Sequence, residues 1–312
     1  MSDQQWAKFE SDTSKTVVNV FWRQWRALGG GASGRPAVGL IDPEVLVLGS
    51  LHLTEVEPRL WTVMTDWLLE GSRFLSVQRL RNLQAAFPSG SDRLADLADF
   101  AVNEARDARW RALKSGKPHA RPGPERELSP RRRSGDLVFQ SPATLMLRLR
   151  AAFGVGLKAD LLTFLLGQRY RTTVATAANA LGYSTAHVFR GFQDLLVARL
   201  VQTTDMPAAA QYSIPFRGWA TLFGLEDVPD WRPLRETAGY ALRLLGWIRQ
   251  RKSRTVTDYA AAAAFRELVE QWQAESARAG FTDSMPPAPD GSNVDDWRKH
   301  ATVILNVMTR WA

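Results

Sequence analysis

The chain has 312 residues, 45% of them apolar and 23% charged, no cysteine, and 40 lysines and arginines against 32 acids, for a net charge of +8. That length predicts two or three domains of ordinary size, each able to bury a core. The absence of cysteine excludes a disulfide scaffold, a thiol nucleophile and a zinc site built on cysteine.

Met1 to Asn19 intersperses Asp3, Lys8, Glu10, Asp12 and Lys15 with its apolar residues, so no secretory signal is expected. Nowhere do about 18 apolar residues run together. The expectation is a soluble, cytoplasmic protein with no membrane contact. The charge is unevenly spread. Residues 106–133 carry 10 basic and 3 acidic groups and residues 141–217 carry 8 and 3, whereas residues 218–312 are balanced at 12 each. A local excess of positive charge points to an acidic partner more strongly than the same charge spread evenly.

In chain order, Val17, Val20, Phe21 and Trp25 recur at helical spacing and predict an amphipathic helix over Thr16–Arg26. Gly29-Gly30-Gly31-Ala32-Ser33-Gly34-Arg35-Pro36 ends it. That run lacks the Lys and Ser/Thr a phosphate loop needs after its last glycine, so it reads as a break. Asp42-Pro43-Glu44 is a helix start, with Asp as N-cap and Pro in the first turn, continued by Val45–Leu53. Helical stretches follow at Glu57–Leu69, Val77–Phe87 and Asp92–Leu113. Residues 1–115 are therefore expected to form one helical domain, with its tryptophans as core anchors.

Residues 116–140 contain Pro118, Pro122, Gly123, Pro124, Pro130 and the run Arg131-Arg132-Arg133, a composition that cannot hold a helix or strand. The segment reads as a linker, either a solvated tether or a phosphate-binding arm. Beyond it, Pro142–Phe153 and Leu157–Leu166 are predicted helices. Thr173–Leu181 is a short helix rich in small residues, Gly182-Tyr183-Ser184 supplies a tight turn and an N-cap, and Thr185–Arg199 places Val188, Phe192, Leu195 and Leu196 inward. Thr185, Ala186, His187, Phe189 and Arg190 are left near its exposed N-terminal end. Leu200–Thr204 and Gln211–Ile214 read as two strands of a hairpin.

This order of helices, turn and hairpin, and the stretch Leu181–Leu195 in particular, resembles the winged helix-turn-helix DNA-binding domain of bacterial transcription regulators of the MarR and ArsR kind. The resemblance covers about residues 145–217. One position departs from it: those families have glycine where this chain has Arg199, at a helix end that commonly adopts positive φ. The resemblance implies that double-stranded DNA is the partner, read by helix 185–199 and the wing 200–214, and that the protein is a sequence-specific transcription regulator. It implies base or phosphate contact by Arg190, base or backbone contact by Ser184, Thr185, His187 and their neighbours Ala186 and Phe189, and phosphate contact by Arg169, Arg171, Thr172, Thr203, Thr204 and Gln211. Arg131, Arg132 and Arg133 would add phosphate contacts from the linker.

Leu234–Arg251, Val256–Ala279 and Val294–Trp311 are predicted helices of a C-terminal helical domain over residues 218–312. Tyr259, Ala263, Leu268 and Trp272 are expected on the apolar side of the second. Such stripes suit private core, a homodimer or a protein partner. The fold class expected is mainly α, a central winged helix-turn-helix at residues 141–217 flanked by helical domains. His52, His119, His187 and His300 are scattered, no catalytic signature is found, and Asp92, Asp96 and Asp99 share a helical face without a histidine nearby. No enzymatic activity, cofactor or metal is expected. The alternative reading is an interaction or accessory subunit, of the kind found in phage-defence or toxin–antitoxin operons, whose winged helix binds protein.

Overall fold

Helices dominate the computed structural model, which describes residues 2–31, 34–88, 93–114, 137–204, 210–226, 228–251, 256–281, 286–289, 291 and 293–311. Arg131, Arg132, Arg133 and Asp92 lie outside the described residues, as do the hairpin residues 205–209. The first helix, α1 (Asp3–Ala27), is longer than its periodic core predicts. Ser2 and Gln5 form a capping box at its start, and Trp6 and Phe9 carry the buried stripe upstream of Thr16. Its end uses the glycine run: Gly29 and Gly30 donate to the carbonyls of Arg26 and Trp25, closing a Schellman turn with Gly29 at φ 87°.

Asp42 caps α2 (Pro43–Leu53), accepting from the Val45 amide at 3.2 Å as its sequence requires. After α3 (Arg59–Gly71) and α4 (Val77–Leu83), the single helix expected over Asp92–Leu113 is split. It forms α5 (Arg93–Asn103) and a 3-10 segment, Ala108–Leu113, because Arg106 turns to a left-handed φ of 56° and Asp107 caps the new start.

The middle of the chain forms α6 (Leu145–Phe153), α7 (Leu157–Gln168), α8 (Val174–Leu181) and α9 (Thr185–Val197), then strands β1 (Gln202–Thr203) and β2 (Tyr212–Ser213). The strands pair antiparallel, Gln202 with Ser213 and Thr203 with Tyr212, and Tyr212 also pairs on its other side with Thr172. A short helix absent from the sequence reading, α10 (Phe216–Phe223), lays Trp219 against Phe153, and its indole N–H donates to the Leu200 carbonyl at 3.4 Å.

Three long helices complete the fold: α11 (Leu234–Arg251), α12 (Asp258–Arg278) and α13 (Val294–Trp311). The face of α12 differs from the expected one. Ala261, Ala262, Phe265, Val269 and Trp272 turn inward, while Tyr259 is 75% exposed. Five consecutive alanines let this helix be read in more than one rotation, and the heavier Phe265 and Trp272 decide it.

The buried apolar residues gather in three clusters. One is built on α2 to α5 with the C-terminal half of α1, the second on α6 to α9, the hairpin and α10, and the third on α12 and α13. The first and last helices, α1 and α13, meet in the third cluster, where Trp6 of α1 also stacks on Phe265 of α12. Two sides of α11 serve different clusters, Ala238 and Leu245 the first, Tyr240 and Leu244 the third. The stripes that could have served a homodimer are thus largely covered within one chain. Among the described residues, no helix is long and apolar enough to cross a membrane.

Candidate nucleic-acid interface

The pair α8 and α9 is built from three local signals. Thr173 caps α8 through its hydroxyl, which accepts from the Thr176 amide at 3.1 Å. Gly182 ends α8 at φ 73°, donating to the Ala178 carbonyl at 2.9 Å, a conformation that costs any L side chain about 1–2 kcal/mol. Ser184 then caps α9, accepting from the His187 amide at 3.3 Å. The Ser184 hydroxyl is engaged as an acceptor but keeps its own proton to donate.

Val188, Gly191, Phe192 and Leu195 form the buried side of α9. Ala186, Phe189, Arg190, Gln193 and Val197 lie on the opposite, exposed side. Thr185 and His187 flank it, also exposed. Among the described residues the Arg190 guanidinium is held locally, its Nε donating to the Ala186 carbonyl at 3.4 Å, and so can reorient toward a ligand. Gln193 was missed at the sequence level although it follows Arg190 by three residues, the spacing of helix-face neighbours. Phe192 anchors the hairpin to this helix, its ring stacked on Tyr212 at 4.0 Å.

The other expected contact residues divide. Arg171 is exposed beside Tyr170, which is 77% exposed and was not singled out from sequence. Thr203 and Gln211 are exposed on the hairpin, and the Thr204 amide donates to the Gln211 carbonyl at 3.1 Å. Thr172 is buried, because its backbone exchanges two hydrogen bonds of 2.9 and 2.8 Å with Tyr212. Arg169 is half engaged elsewhere, with the Val228 carbonyl at 2.6 Å and Asp230 at 3.2 Å. Arg199 adopts φ 58°, and the amides of Arg199 and Leu200 close on the carbonyls of Leu196 and Leu195 at 2.9 Å. The turn that glycine favours is therefore formed with arginine in its place.

Behind the turn lies a buried ion network that sequence reading did not reveal. Arg79 of α4 binds Asp42 and Glu44, with Nη1 at 2.6 Å from each. Arg150 of α6 binds Glu44 at 2.6 and 2.9 Å, Asp160 of α7 at 2.8 and 3.0 Å, and the Phe74 carbonyl at 2.8 Å. The Tyr183 hydroxyl donates to Asp160 at 2.8 Å. Burial pushes the Asp42 carboxyl upward, and Arg79 and Arg150 overcome this to hold it below the usual range. Burial and the Asp160 charge together raise the Tyr183 phenol well above its ordinary value, so it stays a donor. Both guanidiniums resist burial because their carboxylate partners raise them further.

Protein-family models, curated proteins and solved structures were each compared with this chain, and none matches it.

Proposed function

We propose that the protein is a sequence-specific duplex-DNA-binding regulator whose central part acts as a winged helix. In this reading α9 enters the major groove and the hairpin β1–β2 flanks it on the backbone. The observation that carries it is the exposed side of α9, where Arg190 and Gln193 stand one turn apart on a helix whose other side is fully packed. An arginine fork suits guanine O6 and N7, and a glutamine amide suits adenine N6 and N7. Ala186 and Phe189 supply the apolar surface that thymine methyl groups accept.

Arg171, Thr185, His187, Thr203 and Gln211 supply phosphate contacts around that centre, whereas buried Thr172 acts through its backbone, holding the wing. Arg131, Arg132 and Arg133 add charge from the linker. The test is duplex binding by the purified protein and its Arg190→Ala variant over a salt series. Loss of base discrimination in Arg190→Ala supports the reading. A protein partner is the competing occupant of this face, since Phe189 is 50% and Val197 86% exposed. That reading is favoured instead if no duplex binds and a copurifying protein is released by Arg190→Ala.

A further inference from the structure

We propose that Arg79 and Tyr183 are positioning residues for α9: through the ion network they fix the helix turn, and with it the angle at which α9 meets DNA, to the N-terminal helices. This rests on the reading of α9 given above and adds that part of its specificity is set by residues that touch no base.

Five charged side chains, Asp42, Glu44, Arg79, Arg150 and Asp160, are buried together. Such a cluster is a weak source of stability, since apolar residues of similar volume commonly serve as well or better. Its best-attested use is to select one register among near-equivalent packings, because each member demands a specific partner. Here the partners span the start of α2, α4, α6, α7 and the turn before α9.

The grip on that turn is direct. Arg79 Nε donates to the Leu181 carbonyl at 2.8 Å, and the Asn82 amide donates to the Gly182 carbonyl at 3.3 Å. Both donors sit on α4, about a hundred residues earlier in the chain. Leu83, one turn on from Arg79, closes over Gly182 so tightly that a Cβ there would stand 2.4 Å from its methyl carbon. Tyr183 continues the chain of contacts: its hydroxyl is held by Asp160, and its ring meets the edge of His187, in the first turn of α9, with centroids 5.7 Å apart. A rotation of α9 against the N-terminal helices therefore has to break hydrogen bonds to a buried charge, each of which leaves an unsatisfied partner. Recognition geometry must be held within about half an ångström and 10–20° to be productive, and these bonds tie α9 to the N-terminal helices beyond its own packing on Leu157 and Leu161 of α7.

The experiment uses the full chain and three variants, Arg79→Lys, Tyr183→Phe and the surface change Asn82→Ala. Duplexes selected from a random pool by the wild type provide the best-bound and random probes. In Tyr183→Phe and Arg79→Lys, circular dichroism should be unchanged. The affinity ratio of best-bound to random duplex should fall about fivefold or more, equivalent to losing one base contact. The slope of log K against log salt should stay the same, because phosphate contacts remain. Hydrogen exchange at the amides of Val188 to Gly191 should quicken by about tenfold while α7 keeps its protection, with a smaller change in Asn82→Ala. Unchanged discrimination in folded variants overturns the inference, as does an exchange increase spread evenly over the chain, which marks a merely structural role. If the wild type binds no duplex, the DNA reading fails with it, and the exchange pattern alone decides whether the network holds α9.

Discussion

Replacing Arg150 by methionine is the sharpest probe of the packing. The guanidinium makes five hydrogen bonds, four to the carboxylates of Glu44 and Asp160 and one to the Phe74 carbonyl. Their gross worth is offset by the cost of burying the guanidinium itself, so the bonds cannot simply be summed. What decides the variant is what stays behind. Glu44 keeps Arg79 and the Ser76 amide, but Asp160, fully buried, keeps the Tyr183 hydroxyl and a distant Arg79 at 4.0 Å. Breaking a buried pair from one side costs about 3–5 kcal/mol, a large share of the roughly 5–15 kcal/mol by which a domain is stable. Urea unfolding, followed by tryptophan fluorescence and by circular dichroism, measures it. The double variant Arg150→Met with Asp160→Asn should recover about 0.5–3 kcal/mol of the summed single losses, since the orphaned charge is gone. Lys158→Met, which breaks an ion pair whose side chains are 55% and 58% exposed, should change little. A loss below about 1 kcal/mol in Arg150→Met would refute the assignment of Arg150 as a buried, fully engaged cation.

Other consequences can be checked separately. Gly182→Ala should destabilise by about 1–2 kcal/mol from its positive φ alone, and more from the clash with Leu83; a neutral change in thermal unfolding would contradict the turn geometry. Arg199→Gly should stabilise the fold by about 1 kcal/mol because φ 58° then carries no penalty, while Arg199→Ala should not. If Arg199 also meets a phosphate, the same Arg199→Gly variant should lose about 0.9 from the salt slope of duplex binding. Burial lowers the His300 imidazole below its ordinary 6.5, partly opposed by its hydrogen bond with the Pro286 carbonyl. A depressed folded value means that its contribution is complete above pH 6.5 and is lost as pH falls through the folded value. The stability of the wild type relative to His300→Gln should therefore decline on acidification below 6.5, and a rise in that window would refute the burial.

Most helices were legible because their caps and apolar spacing agree, as at Asp42 for α2 and at Thr173, Gly182 and Ser184 around α8 and α9. The errors have physical causes. Trp6 and Phe9 sit upstream of the dense stripe of α1, the alanines of α12 give no clear face, and α10 is a helix of eight residues with a single buried side chain. The exposed side of α9 was half visible: Arg190 was singled out, while Gln193 needed the helix to be followed one turn further. Nothing local marks Arg79 or Arg150 as buried, because an arginine in an amphipathic helix ordinarily reaches water. Their partners Asp42, Glu44 and Asp160 lie on other elements, and only the tertiary fold brings the five together.

Whether the exposed side of α9 reads duplex DNA is decided by selecting duplexes from a random pool with the purified protein and repeating the selection with Arg190→Ala. With Arg190 in the groove, the wild type enriches a defined motif containing guanine, binding weakens steeply with salt, and the Arg190→Ala pool loses the preference at one position while still binding. A wild-type pool without a motif, or one that Arg190→Ala leaves unchanged, would contradict this reading.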